Sequence, residues 1–158
     1  MPHSLGAHCP IQLPLPRAWT PSGRSSRLPR SETSVGPQIG VDLTPVAKVQ
    51  RVFDGRKTLL AEVFTPEELR YSFRQRRPFE HLAARYAAKE AVFKGLQTGL
   101  ASPVCWHDVE IVRGSRGEPR LVLRGEVARL AATQGFRHCA VSLSHAGAYA
   151  LAAVLFSP

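Results

Sequence analysis

Glu90 occupies a position where a carboxylate is costly. Within 78–99, PFEHLAARYAAKEAVFKGLQTG, the residues Phe79, Leu82, Ala83, Tyr86, Phe93 and Leu96 recur at three- and four-residue steps and draw one apolar stripe along a helix. At about 100° per residue, Glu90 falls inside that stripe, with Arg85 and Lys89 along one margin and Lys94 along the other. A carboxylate on a core-facing line needs a cation or hydrogen-bond donors to meet it. Two chemistries satisfy that need. Periodicity alone favours a structural ion pair between Glu90 and a neighbouring Arg or Lys. The alternative is a metal-binding or catalytic carboxylate flanked by anion-binding side chains. A second acid, Asp42, lies near the end of a short alternating stretch, where it reads equally well as a helix cap. Ser144 and His145 fall where a strand pattern ends, at a turn of the kind that often carries functional groups.

The elements that must position these residues follow from local signals. Ile39, Val41 and Leu43 alternate with Gly40, Asp42 and Thr44, which predicts a strand with one apolar face and Asp42 on the other. Pro45 opens a helix over 45–53 whose Lys48 and Arg51 project to one side. Asp54-Gly55 marks a turn. Thr65-Pro66-Glu67-Glu68 is a capping box that starts a helix reaching Phe73, and an Arg-rich run (Arg70, Arg74, Arg76, Arg77) precedes the long helix. That helix opens at Pro78 and is closed by Gly99. Strands over 104–113 and 120–124 form a hairpin, 126–134 is a short helix closed by Gly135, and 137–144 and 148–156 are two further strands about His145-Ala146-Gly147. One strand, then helices, then strands with one helix inserted predicts an α+β fold: an antiparallel sheet packed on a long central helix.

The 158 residues suit one domain and an appendage. Residues 1–37, rich in Pro, Ser and Arg, read as a disordered tail, and 38–158 as the folded domain. Pro14 and Pro16 interrupt the apolar patch at 11–19, which opposes a signal peptide. The prolines also oppose an organellar transit helix, and a natural start near Val35 is a further expectation. The net charge of +9 favours anionic partners such as nucleic acid, phosphate-rich small molecules or an acidic protein surface. Cys9, Cys105 and Cys139 are odd in number and scattered, which suggests neither a disulfide framework nor a zinc site, so a reducing cytoplasm is expected. No apolar run approaches a membrane span.

The segments IGVDL (39–43), FTPEEL (64–69), RYAAKEAVFKGLQTG (85–99), DVEI (108–111), GEP (117–119) and VSLSHAGAYALAAV (141–154) resemble, in order, the holo-acyl-carrier-protein synthase family of small 4′-phosphopantetheinyl transferases. The resemblance implies transfer of the phosphopantetheine arm of coenzyme A to a serine of an apo acyl carrier protein, releasing adenosine 3′,5′-bisphosphate. It implies Mg²⁺ held by Asp42 and Glu90, with Lys94 neutralising pyrophosphate charge and Arg85 as a second phosphate contact. Glu90 or a water on the ion would take the serine proton. Lys89 would pair with an acid of the fold, and Ser144 and His145 would contact the nucleotide's phosphate or ribose. Lys48 and Arg51 would face the acidic carrier protein, and chain length resembles the class that assembles as a homotrimer with sites between subunits. Pro45 departs from the family, which commonly has Glu there. Ala146 departs where some members are polar or acidic. The rival from another class is a small basic nucleic-acid-binding domain; aromatic residues interleaved with basic ones on the strands, which a stacking platform needs, are missing. A catalytically dead carrier-protein binder is opposed by the intact Asp42, Glu90 and Lys94.

Overall fold

The long helix starts at the Pro78 signal, and small residues let its neighbours come close. The computed structural model describes residues 36–98 and 104–158. The central helix, Pro78–Gly95, is the fourth in the chain. Its C-terminus is a Schellman motif: Gln97 takes the left-handed position at φ 53°, Thr98 N–H donates to the Phe93 carbonyl (3.0 Å) and Gln97 N–H to that of Lys94 (3.1 Å). Gln97 therefore does the work expected of Gly99. That glycine and residues 1–35 of the tail predicted over 1–37 lie outside the described residues.

In chain order the elements are β1 (Gln38–Pro45), α1 (Val46–Phe53), α2 (Lys57–Val63), α3 (Pro66–Phe73), α4 (Pro78–Gly95), β2 (Val109–Arg113), β3 (Pro119–Leu123), α5 (Gly125–Thr133), β4 (His138–Ala146) and β5 (Tyr149–Ser157). The α+β class and the antiparallel pairing are as expected. The strands divide into a three-stranded sheet, ordered β1-β5-β4, and a separate β2–β3 hairpin. Three boundaries differ from the sequence reading. Trp106–Asp108 is a 3₁₀ turn and not the start of a strand. The seven-residue α2 has too short a pattern to announce itself. His145 and Ala146 belong to β4, whose turn into β5 is at residues 147–148, so Ser144 and His145 are strand residues.

α4 is buried on more sides than one apolar stripe would require. Leu82, Ala83, Ala87, Ala88, Ala91 and Val92 are all enclosed, because β1, β5, α1, α3 and β2 pack around it. Its alanines and Gly95 permit close approach of the sheet. A Cβ on Gly40 would lie 1.8 Å from the Ala91 carbonyl oxygen, and one on Gly95 2.8 Å from the Phe156 ring. The faces of β1 follow from this contact. Gly40, Asp42 and Thr44 turn toward α4. Ile39, Val41 and Leu43 point away from it and are 69%, 47% and 58% exposed in the single chain. On β5, Leu151 and Leu155 share that outer face, opposite Leu43 and Ile39. No helix among the described residues is long and apolar enough to cross a membrane.

Candidate active site

β1 and the C-terminal half of α4 bring Asp42, Glu90 and Lys94 together. Alternation places Asp42 on the inner face, opposite Ala152. The Lys94 ammonium donates to Asp42 Oδ1 at 2.7 Å, and Thr44 Oγ1 donates to Oδ2 at 2.6 Å. Glu90 is buried, and its Oε1 has no hydrogen-bond partner among the described residues. Burial, and then the negative charge of Asp42, hold the Glu90 carboxyl above its ordinary pKa, while Lys94, the Tyr86 hydroxyl and Lys48 pull the other way. Burial and the two carboxylates push the Tyr86 phenol up, so it stays a donor; its ring stacks on Trp106 at 5.3 Å. The site is thus two close carboxylates, one orphaned acceptor and two lysines. Among the described residues the ion pair that periodicity favoured for Glu90 is not made: Lys94 pairs with Asp42 instead.

The orphaned Glu90 oxygen beside Asp42 fits a hard divalent cation. Oxygen donors are what Mg²⁺ takes, and two carboxylates leave room for retained waters and substrate oxygens. No group of three or more His, Cys, Asp or Glu suited to a metal occurs among the described residues, so any ion here depends on those extra ligands. Pro45 cannot supply one; it ends β1 and precedes α1 with φ −66°.

A second cluster lies toward the N-terminal half of α4, around a cavity of about 150 Å³ lined by Tyr71, His81, Arg85, Arg113, Ser144 and His145, among others. Arg85 is only 5% exposed; its guanidinium lies 4.1 Å from the Tyr71 ring centre and donates to the His81 carbonyl, and its Nε has no partner among the described residues. Arg113 stands over the same ring at 5.5 Å. His81 meets Tyr71 edge-on at 5.7 Å and His145 at 6.5 Å. Five residues separate Arg85 from Glu90, about 7.5 Å along the axis and about 140° around it. The expected phosphate contacts therefore form two groups, Lys94 in one and Arg85 with His145 in the other. Ser144 and His145 both line that cavity, His145 opposite Ala150 and Ser144 opposite Leu151 in the β4–β5 register.

Lys89, placed by periodicity at the margin of the stripe, is fully enclosed. It pairs with Glu68 at 2.9 Å, both side chains being 0% exposed, and donates to the Trp106 carbonyl at 2.9 Å and to that of Val109. Glu68 closes the capping box by accepting from Thr65 N–H and also accepts from Ile111 N–H at 3.0 Å. This pair ties α3, α4 and β2 together behind the site. The sequence reading missed the roles of Tyr71, His81, Arg113 and Tyr86. One signal was present: His81 and Arg85 stand at i, i+4 on a helix and so share a side.

A profile of the 4′-phosphopantetheinyl transferase superfamily matches residues 38–154. The holo-[acyl-carrier-protein] synthase of Moorella thermoacetica is 42% identical over 118 residues, covering 75% of this chain and 91% of that protein. That of Desulforudis audaxviator is 47% identical over 117 residues, 72% of this chain and 87% of its own. Among solved structures, the Chronobacterium ammoniagenes ACPS–CoA complex matches with a TM-score of 0.66 at 30% identity, over 77% of this chain and 96% of that one. With that match running from β1 into β5, the chain belongs to the 4′-phosphopantetheinyl transferase superfamily.

Proposed function

We infer that the protein is a holo-[acyl-carrier-protein] synthase. It moves the 4′-phosphopantetheine arm of coenzyme A onto a serine of an apo acyl carrier protein. The serine oxygen bonds to the pantetheine-side phosphorus, the pyrophosphate P–O bond breaks, and adenosine 3′,5′-bisphosphate leaves. The observation that carries the reading is the orphaned, buried Glu90 oxygen beside Asp42, with Lys94 against the same carboxylate.

Asp42 and Glu90 would hold Mg²⁺, which when bound offsets pyrophosphate charge and aligns the phosphorus. Lys94 turns from Asp42 toward the phosphate oxygens and stabilises the charge that builds on the leaving group. Glu90 or a water on the ion would take the serine proton. Arg85, Ser144 and His145 bind the nucleotide end. The acidic carrier protein docks on exposed Lys48 and Arg51 of α1, next to the site.

The two clusters lie on different sides of α4, so one ligand spans both more readily between two copies of the chain than within one. The exposed apolar face of the β1-β5-β4 sheet is suited to that contact, and we propose a homotrimer with sites between subunits. The transferase domain is assigned to 38–158, with 1–37 as a tail outside it, and the setting to the cytoplasm.

The test is to incubate the protein with apo carrier protein, coenzyme A and Mg²⁺ and to weigh the carrier. A phosphopantetheine mass increment is expected, lost with EDTA and in Asp42→Ala and Glu90→Ala. No increment with any carrier protein would overturn the assignment. Sedimentation should give the mass of three chains.

A further inference from the structure

Asp42 meets two donors of opposite character. On one side, Lys94 reaches Oδ1 at 2.7 Å and the Val41 carbonyl at 3.4 Å, from a long side chain that is 47% exposed. On the other, the Thr44 hydroxyl donates to Oδ2 at 2.6 Å, and Thr44 is only 3% exposed. Residues two apart on a strand share a face, so Thr44 stands beside Asp42 on the side of β1 that packs on α4, opposite the buried Ala150. Gly40, two residues before Asp42 on the same face, holds the strand tightly against the helix. The branched Thr44 side chain has few rotamers open to it. The two donors therefore respond differently to an anionic substrate. Lys94 can swing to phosphate oxygens, whereas Thr44 keeps its hold on Oδ2. Packing alone does not call for this hydroxyl, since a valine would fill the same space.

We propose that Thr44 is a positioning residue for the metal ligand Asp42: by keeping Oδ2 occupied it leaves Oδ1 as the one oxygen this carboxylate offers a cation, and so favours Mg²⁺ over Ca²⁺. This rests on the reading above that Asp42 and Glu90 hold a divalent ion. Glu90 is arranged alike, with the Tyr86 hydroxyl on its carboxylate and Oε1 without a partner among the described residues. Mg²⁺ demands a compact, near-octahedral set of ligands, whereas the larger Ca²⁺ takes more of them and readily accepts both oxygens of one carboxylate. A carboxylate free to turn could offer two oxygens; one tied at Oδ2 by a stiff, buried donor offers one. Partners that orient a metal-ligating group in this way typically change metal affinity by about 10–100-fold.

The test titrates Mg²⁺ and Ca²⁺ by calorimetry into the full chain, with coenzyme A present and carrier protein withheld so that nothing turns over. Thr44→Val, which keeps the shape and removes the hydroxyl, should weaken Mg²⁺ binding at least about tenfold and Ca²⁺ binding by less than about threefold. Thr44→Ser keeps the donor and should hold both affinities within about threefold of wild type. With carrier protein added, the Mg²⁺ concentration that half-saturates transfer should rise about tenfold in Thr44→Val, while KM for coenzyme A at saturating Mg²⁺ stays unchanged. Should Thr44→Val not fold, Thr44→Ala carries the same comparison. Unchanged Mg²⁺ affinity in the variant would overturn the proposal. So would equal weakening of both ions, or a Thr44→Ser protein as impaired as Thr44→Val, either of which would mark the residue as structural. A wild type that binds neither ion would sink the metal site and this proposal together. One that shows the expected shift in ion preference yet modifies no carrier would sink the transferase reading and leave this one standing.

Discussion

Lys89 sits immediately before Glu90 in sequence, and the fold gives it a different task. Its ammonium is spent on Glu68 and on the Trp106 and Val109 carbonyls, out of reach of any substrate. Lys89→Met keeps the length and apolar stem of the side chain but leaves Glu68 as a buried carboxylate short of its counter-charge and two carbonyls short of a donor. Breaking one side of a fully buried pair costs about 3–5 kcal/mol. Total stability for a domain of this size is about 5–15 kcal/mol, so the loss is a large share. An unfolding entropy of about 2.1 cal/mol/K per residue over roughly 120 ordered residues gives about 0.25 kcal/mol/K, and thus a Tm lower by about 12–20 °C. Melts followed by circular dichroism test this directly. Adding Glu68→Gln to Lys89→Met removes the stranded charge and should recover about 1–3 kcal/mol relative to the sum of the single changes. Below the transition, kcat per folded molecule should stay within about threefold of wild type. A Lys89→Met protein with unchanged Tm and kcat reduced by about a hundredfold or more would refute the structural assignment and place the ammonium in the reaction.

Gly40→Ala drives a methyl into the Ala91 carbonyl, at 1.8 Å in the present backbone, and should lower Tm by the equivalent of about 1–3 kcal/mol. Because the strand must retreat from α4, kcat should fall further than stability does; a variant that melts and turns over like wild type would show that the close approach is not needed. Against its burial, Glu110 is held below the ordinary carboxylate pKa of 4.5 by the Thr65 hydroxyl and by Arg124. The folded state then binds its proton less readily than the unfolded one, so the stabilisation is present above pH 4.5 and lost as the pH falls below it. Glu110→Gln should lower Tm at neutral pH and match wild type near about pH 3, and a deficit that persists in acid would contradict this. Charge reversal at Lys48 and Arg51 should raise KM for the carrier protein about tenfold at low salt, with the gap closing as ionic strength passes about 0.15 M. An effect independent of salt would place the carrier elsewhere.

What the sequence made legible was local. The start of α3 was written in Thr65 and Glu68 and the start of α4 in Pro78, because capping boxes and helix-opening prolines act over one turn. Asp42 and Glu90 could be nominated from strand alternation, stripe geometry and resemblance. The rest depended on long-range packing. Glu68 read as a capping-box residue and Lys89 as the margin of a stripe with some acid of the fold as its partner; that these two meet in the core follows from how α3 lies against α4. The outer face of β1 could not be told from the inner, since Ile39, Val41 and Leu43 are what a core face would show. Small residues decided the matter, because α4 accepts a strand only where Gly40 presents no side chain. Ser144 and His145 read as turn residues, but β4 runs on through Ala146, so both line the cavity from within a strand.

The same small residues bear on chemistry as well as on packing. A strand normally stands off a helix by the length of two side chains, and at that spacing Asp42 could not influence Glu90 nor Lys94 reach across to it. Gly40 against Ala91, and Gly95 against Phe156, remove that spacing and bring the carboxylates within each other's field. The closeness is costly: it leaves one Glu90 oxygen without a donor and raises its pKa, penalties that a divalent cation would offset. The Arg85 cavity has the opposite debt, cations without an anion. α4, enclosed on nearly every side, is the common bearing that keeps the two sites in register.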